Sequence, residues 1–120
     1  MHSTLIYVGP CGISKEHQAK GIAYHYPIFC HESLDENIVY ATTKAIAEGY
    51  DIYSLVHKML KDWTLEMALA FAKDKVPNAY HKGAVKYFKE IGKWTPEMEA
   101  WQQKILKDEA KRIAAWEKSH

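Results

Sequence analysis

Leu34-Asp35-Glu36-Asn37-Ile38-Val39-Tyr40-Ala41-Thr42-Thr43-Lys44-Ala45-Ile46 is the stretch whose reading decides the fold. Ile38, Val39, Ala41, Ala45 and Ile46 recur near the 3.6-residue period of a helix that packs along one side. Ser33 or Asp35 can cap this helix, because a short polar side chain accepts from the first free backbone N–H groups. Glu36 lies three residues after Ser33, the spacing of a capping box. Gly49 is a natural stop.

Helical signals continue downstream. Asp51 can cap a second helix carrying Ile52, Leu55, Val56, Met59 and Leu60. Thr64 and Glu66 open a third, with Leu65, Met67, Ala68, Leu69, Phe71 and Ala72, which Val76-Pro77-Asn78 breaks. A short helix over residues 82–91 ends at Gly92. Thr95-Pro96-Glu97 starts the longest one: Thr95 as N-cap, Pro96 at the first helical position, acidic residues in the first turn. On it Met98, Trp101, Ile105, Ile113 and Trp116 lie close to one stripe that Glu109 interrupts. Two readings stay open: the stripe packs onto the body, or Met98, Trp101, Ile105 and Trp116 form a candidate interface for another chain. The opposite face mixes both charge signs, which argues against a membrane-surface helix.

Upstream, residues 3–8 are β-rich and Gly9-Pro10-Cys11-Gly12 is turn chemistry. After a polar run, residues 21–30 read as a second strand, aromatic and β-branched, with Pro27 marking an edge or a break. The expected fold class is mainly α with two short β-strands. The expected organisation is a single partial domain over residues 1–120: a strand and loop region at 1–33, helices at 34–92, and a long C-terminal helix at 93–120.

Composition bounds the function. The 120 residues suffice for one domain, and 48% apolar with 26% charged residues is ordinary for a folded chain. Sixteen basic against fifteen acidic side chains leave a formal charge of +1, without the cationic excess of a general nucleic-acid binder. No stretch approaches the roughly 20 apolar residues that span a bilayer. The N-terminus lacks the features of a secretory signal, so the sequence reads as a cytoplasmic protein, a mature form or a piece of a longer one. Cys11 and Cys30 allow one disulfide in principle; two free thiols packed as small hydrophobes is the simpler reading.

Few constellations suggest chemistry. The sequence contains no glycine-rich phosphate loop, no Gly-x-Ser-x-Gly elbow and no His-Glu-x-x-His. His17, His25, Cys30 and His31 could in principle hold zinc in a metal-dependent enzyme, but their spacing matches no common metal pattern. Tyr24, Tyr26 and Phe29 suit strand packing or a ligand cleft. Lys82, Lys86, Lys89 and Lys93 repeat at helical spacing as a small cationic stripe on a solvated face. The expectation is a protein that is not an enzyme, with no catalytic residue, no metal and no cofactor.

The stretch Pro77-Asn78-Ala79-Tyr80-His81-Lys82-Gly83-Ala84-Val85-Lys86-Tyr87-Phe88-Lys89-Glu90-Ile91-Gly92 resembles the C-terminal signature of TAXI-type solute-binding proteins, the extracytoplasmic receptors of one class of TRAP transporters. His81, Gly83, Ala84, Lys86, Tyr87, Phe88, Glu90 and Gly92 match that motif, and Lys82 stands where the family usually has Pro. The helix beginning at Leu34 is similar to the family's Leu-Pro-Glu-Asp-x-Val-Tyr-x-x-Thr-Lys-Ala helix. Pro10-Cys11-Gly12 resembles its Pro-Ala-Gly turn. The likeness spans most of residues 8–95.

This resemblance implies the C-terminal part of a type II periplasmic-binding-protein α/β fold, with a crossing strand and the closing helices. It implies a periplasmic location, a small organic anion as ligand and TRAP membrane subunits as partners. Ligand contacts in such receptors come largely from upstream portions, so no ligand-binding residue is assigned here. A structural role suits the motif: Gly83 for close approach, Tyr87 and Phe88 for packing. The alternative is a stand-alone helical interaction module docking through the Trp101 and Trp116 face. Strand edges and apolar faces left unpaired in a partial lobe also predict self-association.

Overall fold

The computed structural model describes residues 2–6, 19–23, 27–73 and 78–120. His2–Ile6 (β1) and Ala19–Ala23 (β2) form an antiparallel ladder, with His2 opposite Ala23 and Ile6 opposite Ala19. Residues 27–73 and 78–120 are helical and carry no strand. Their helices are Glu36–Glu48 (α1), Tyr50–Tyr53 (α2), Leu65–Lys73 (α3), Lys82–Glu90 (α4) and Pro96–Ser119 (α5), with a 3-10 turn at Lys58–Asp62. None of the helices is long and apolar enough to cross a membrane.

The expected fold class needs correction. From residue 27 onward the described residues are helical and carry no strand, and the second strand, expected over residues 21–30, is instead Ala19–Ala23. Residues 27–30 are irregular; Pro27 has no N–H to give a ladder, and Ile28 and Phe29 lie exposed rather than against a partner strand. Among the described residues nothing has the layered α/β architecture of a periplasmic-binding-protein lobe. The turn at residues 9–12, His17, Tyr24, His25, Tyr26, Val76 and Pro77 lie outside the described residues.

Local chemistry sets the helix ends. Asp35, not Ser33, caps α1: its carboxylate accepts from the N–H groups of Asn37 at 2.8 Å and Ile38 at 3.4 Å. The Ser33 hydroxyl bonds His31 Nδ1 instead, at 2.8 Å. The capping box is therefore not made, and Glu36 is free to face α4. The Thr64 hydroxyl accepts from Met67 N–H at the start of α3, and Thr95 does the same for Met98 at the start of α5, with Pro96 in the first turn. Gly92 ends α4 with φ +67°; its N–H bonds Lys89 C=O and the Lys93 N–H bonds Phe88 C=O at 2.9 Å, both bonds of a Schellman turn.

The second helix expected after Asp51 is reduced to the single turn α2 and the separate 3-10 turn. His57, in extended conformation, interrupts them and caps the latter by accepting from Met59 N–H. Two tyrosines strap this excursion shut: Tyr50 donates to Lys61 C=O and Tyr53 to Trp63 C=O, each at 2.7 Å. Ile52, Leu55 and Val56 are consequently 77%, 82% and 77% exposed rather than buried along a helix face.

The core is small. Leu69 from α3, Tyr87 and Phe88 from α4 and Met98 from α5 form its buried centre, with Tyr40, Tyr80, Ala84 and Trp94 packed around it. Val39 and Val85 are also buried, and α4 lies along α1. The N-terminal half of α5 closes the core, and from residue 109 onward the helix is exposed.

Candidate functional site

The residues of the sequence motif converge on the seam between α1 and α4. Gly83 permits the contact: a Cβ there would lie 2.4 Å from Glu36 O, 2.8 Å from Tyr40 N and 2.9 Å from Val39 Cβ. Two of those atoms are backbone, so the helices could not approach this closely with any other residue. His81 starts α4. Its Nδ1 accepts from Gly83 N–H at 3.1 Å, which leaves the proton on Nε2, and Nε2 donates to Glu32 C=O at 3.1 Å. One imidazole thus caps a helix and ties down the segment before α1.

Charge and aromatic contacts extend the seam. Glu36 faces Lys82 and Lys86 at 3.9 and 3.7 Å. The Lys86 ammonium also lies 5.3 Å from the centre of the Tyr40 ring. Tyr40 donates its hydroxyl to the Glu90 carboxylate, which holds the phenol above its ordinary pKa. Its ring meets Tyr87 edge-on at 6.0 Å. Burial, above all, pushes the Tyr87 phenol up as well. The site residues expected from sequence are therefore placed as follows: Gly83, Tyr87 and Phe88 buried, His81 and Ala84 half-buried, Lys86, Glu90 and Gly92 exposed at the helix surface and end.

A second cluster surrounds Tyr80 and was not singled out by sequence. Gln102 clamps its backbone: the side-chain oxygen accepts from Tyr80 N–H at 2.9 Å and the amide nitrogen donates to Tyr80 C=O at 2.7 Å. The Tyr80 hydroxyl donates to Ala68 C=O at 2.6 Å. Its ring meets Phe88, Trp94 and Trp101 edge-on at 5.4–5.8 Å. Gln102 lies one helical turn beyond Met98, a polar residue at an apolar-face position, and that was the available signal.

Glu99 knots α4 to α5 beside this cluster. It accepts from Lys89 Nζ at 2.9 Å, Trp94 Nε1 at 2.7 Å and Gln103 Nε2 at 3.1 Å. The Lys89 bond first, then those of Trp94 and Gln103, bring its pKa down to about 2. Of the cationic stripe, Lys82 and Lys86 thus share the Glu36 carboxylate and Lys89 is held by Glu99.

An open groove of about 1310 Å³ runs past residues 27–34, α1, α3 and α5, with Phe29, Val39, Ile46, Met67 and Leu106 on its walls. Several polar side chains at its wall are committed elsewhere: Gln102 to Tyr80, His81 to the cap, Lys89 to Glu99, and the Thr42 and Thr43 hydroxyls to the carbonyls of Ile38 and Val39. Among the described residues no three His, Cys, Asp or Glu side chains gather to hold a metal; Cys30 is an exposed thiol and His31 bonds Ser33. Of the candidate interface, Met98 is buried, Trp101 and Ile105 are half-buried and Trp116 is 61% exposed, stacked on His120 at 4.7 Å.

No curated protein and no solved structure matches this chain. One family model does, over residues 5–92, an interval that takes in α1, the 3-10 turn, α3, the whole of α4 and its Gly92 stop. The model describes a periplasmic-binding-protein-like family. The helical seam built by Glu36, His81 and Gly83 lies wholly inside that interval, and on this evidence the chain belongs to the NMT1-like family.

Proposed function

We propose that the chain supplies the closing helices of a TAXI-type solute receptor, which delivers a small organic anion to TRAP membrane subunits outside the cytoplasm. Membership in a periplasmic-binding-protein-like family supports the substrate-binding role. The observation that carries the reading is the use to which the motif is put. His81, Gly83, Tyr87, Phe88 and Gly92 cap, pack and terminate α4, and Lys86 and Glu90 bind α1. They are scaffold, and none is free to hold a solute.

The thin core supports a partial domain. No described side chain is less than 2% exposed, while Ile52, Leu55 and Val56 stand in solvent. Solute clefts of this kind form between lobes, so the chain alone provides one wall and not a site. Calorimetry with a panel of mono- and dicarboxylates tests this. The chain alone gives no heat of binding, and the chain joined to the other lobe of such a receptor gives a signal. Micromolar binding of a carboxylate by the 120 residues alone would overturn the scaffold reading.

The exposure of Trp116 favours a second reading, a helical module that docks a partner through α5. Trp101 is drawn into the Tyr80 cluster, so the two indoles do not share one open face. Loss of a partner other than a second copy of this chain in Trp116→Ala, with the fold retained, would favour this reading over the receptor.

A further inference from the structure

We propose that the exposed half of α5 pairs antiparallel with the same helix of a second copy of this chain. Gln102, Leu106, Glu109, Ile113 and Trp116 are spaced by four, three, four and three residues, which places them on one helix face, the spacing of a helix–helix seam. The first three line the groove. The last two are 50% and 61% exposed, and Trp116 stacks on His120. This half of the helix also lies beyond residue 92, where the family match ends.

The seam carries one charge, and its complement sits on the same helix. Glu109 and Arg112 enter no ion pair among the described residues. Antiparallel pairing centred on Lys111 sets Leu106 of one copy against Trp116 of the other. The same register sets Glu109 against Ile113, with Arg112 of the other copy beside it. Both contacts occur twice, as a closed two-fold interface requires. Parallel pairing would instead set Glu109 against Glu109, two like charges on an apolar seam. The groove that Leu106 helps to line has a volume of about 1310 Å³, larger than an indole side chain. A bilayer is a poorer occupant, since Asp108 and Glu117 accompany Lys107, Lys111 and Lys118 on the outer faces.

A few large side chains per copy bury less than the roughly 800 Å² per partner of a standard interface, so the dimer dissociates in the micromolar range. Sedimentation equilibrium of the full chain over about 1–200 µM, a span centred on that range, tests the proposal. The mass rises from monomer to dimer, and Trp116→Ala raises the dissociation constant about tenfold or more while helical circular dichroism is kept. Glu109→Arg and Arg112→Glu each weaken the dimer, and the double exchange restores it. A monomer throughout, an unchanged Trp116→Ala, or assemblies beyond the dimer overturn the interface. Failure of the double exchange to restore association overturns the antiparallel register.

Discussion

Gly83 lies so close to α1 that a Cβ on it would sit 2.4 Å from the carbonyl oxygen of Glu36. An alanine must therefore push α4 away from α1 across the whole seam, since Tyr40 N and Val39 Cβ are nearly as near. Helix propensity alone would make Gly83→Ala stabilising by about 1 kcal/mol. Overpacking against backbone reverses the sign, and the expected cost is about 2–3 kcal/mol. Urea denaturation reads it directly, and a variant as stable as the parent would show that the helices can separate freely.

Gln102 satisfies both backbone polar groups of Tyr80. Gln102→Leu keeps much of the volume but removes both hydrogen bonds to the Tyr80 backbone. The expected loss is about 1–3 kcal/mol, at about 0.5–1.5 kcal/mol for each bond. Loss of the near-ultraviolet signal of Trp94 and Trp101 should accompany it, because both rings pack on Tyr80. An unchanged unfolding midpoint would contradict the clamp.

Glu99 is held near pH 2 in the folded chain against an ordinary 4.5. A carboxylate with a lowered folded pKa contributes stability that is present above its unfolded value and is lost as pH falls through the folded one. The contribution of Glu99 should thus be whole at pH 5 and above and fade between about 4.5 and 2. Comparing the parent chain with Glu99→Gln across that window isolates it. The gap between their unfolding midpoints should narrow toward acid, and a gap independent of pH would refute the assignment.

His81 links Gly83 N–H to Glu32 C=O. Removing the cap with His81→Ala should cost about 1 kcal/mol. Asparagine restores the acceptor without the reach to Glu32, so His81→Asn should recover part of that loss. Limited proteolysis near residues 31–34 should be faster in both variants, since neither ties that segment down.

Gly92 has φ +67° and open space around its Cα, so alanine there meets only backbone strain. Gly92→Ala should cost about 1 kcal/mol, and Gly92→Asn less, because asparagine tolerates the left-handed region. Equal thermal midpoints for the two variants would argue against a conformational origin.

Much of the helical body was legible from short-range pattern. The period of α1, the Thr64 and Thr95 starts, the Pro96 position and the Gly92 stop depend on residues within a turn or two of one another, and a sequence displays such relations directly. The long-range residues of the site were only half legible. His81 and Gly83 could be picked out by resemblance to a known motif, but their partners Glu32 and Glu36 lie 49 and 47 positions away and carry no mark of it.

By itself, then, the sequence determined the starts of α3 and α5 and the stop of α4, because caps, prolines and glycines act on their own neighbours. Tertiary structure alone decided which apolar residues are buried. Ile52, Leu55 and Val56 have a helical spacing as good as that of α1, yet they stand in solvent because Tyr50 and Tyr53 strap their segment into a turn. It likewise chose Asp35 over Ser33 as the cap and sent Glu36 to Lys82 and Lys86. A side chain's partner is set by what packs opposite it, and here that is supplied from some fifty residues further along the chain.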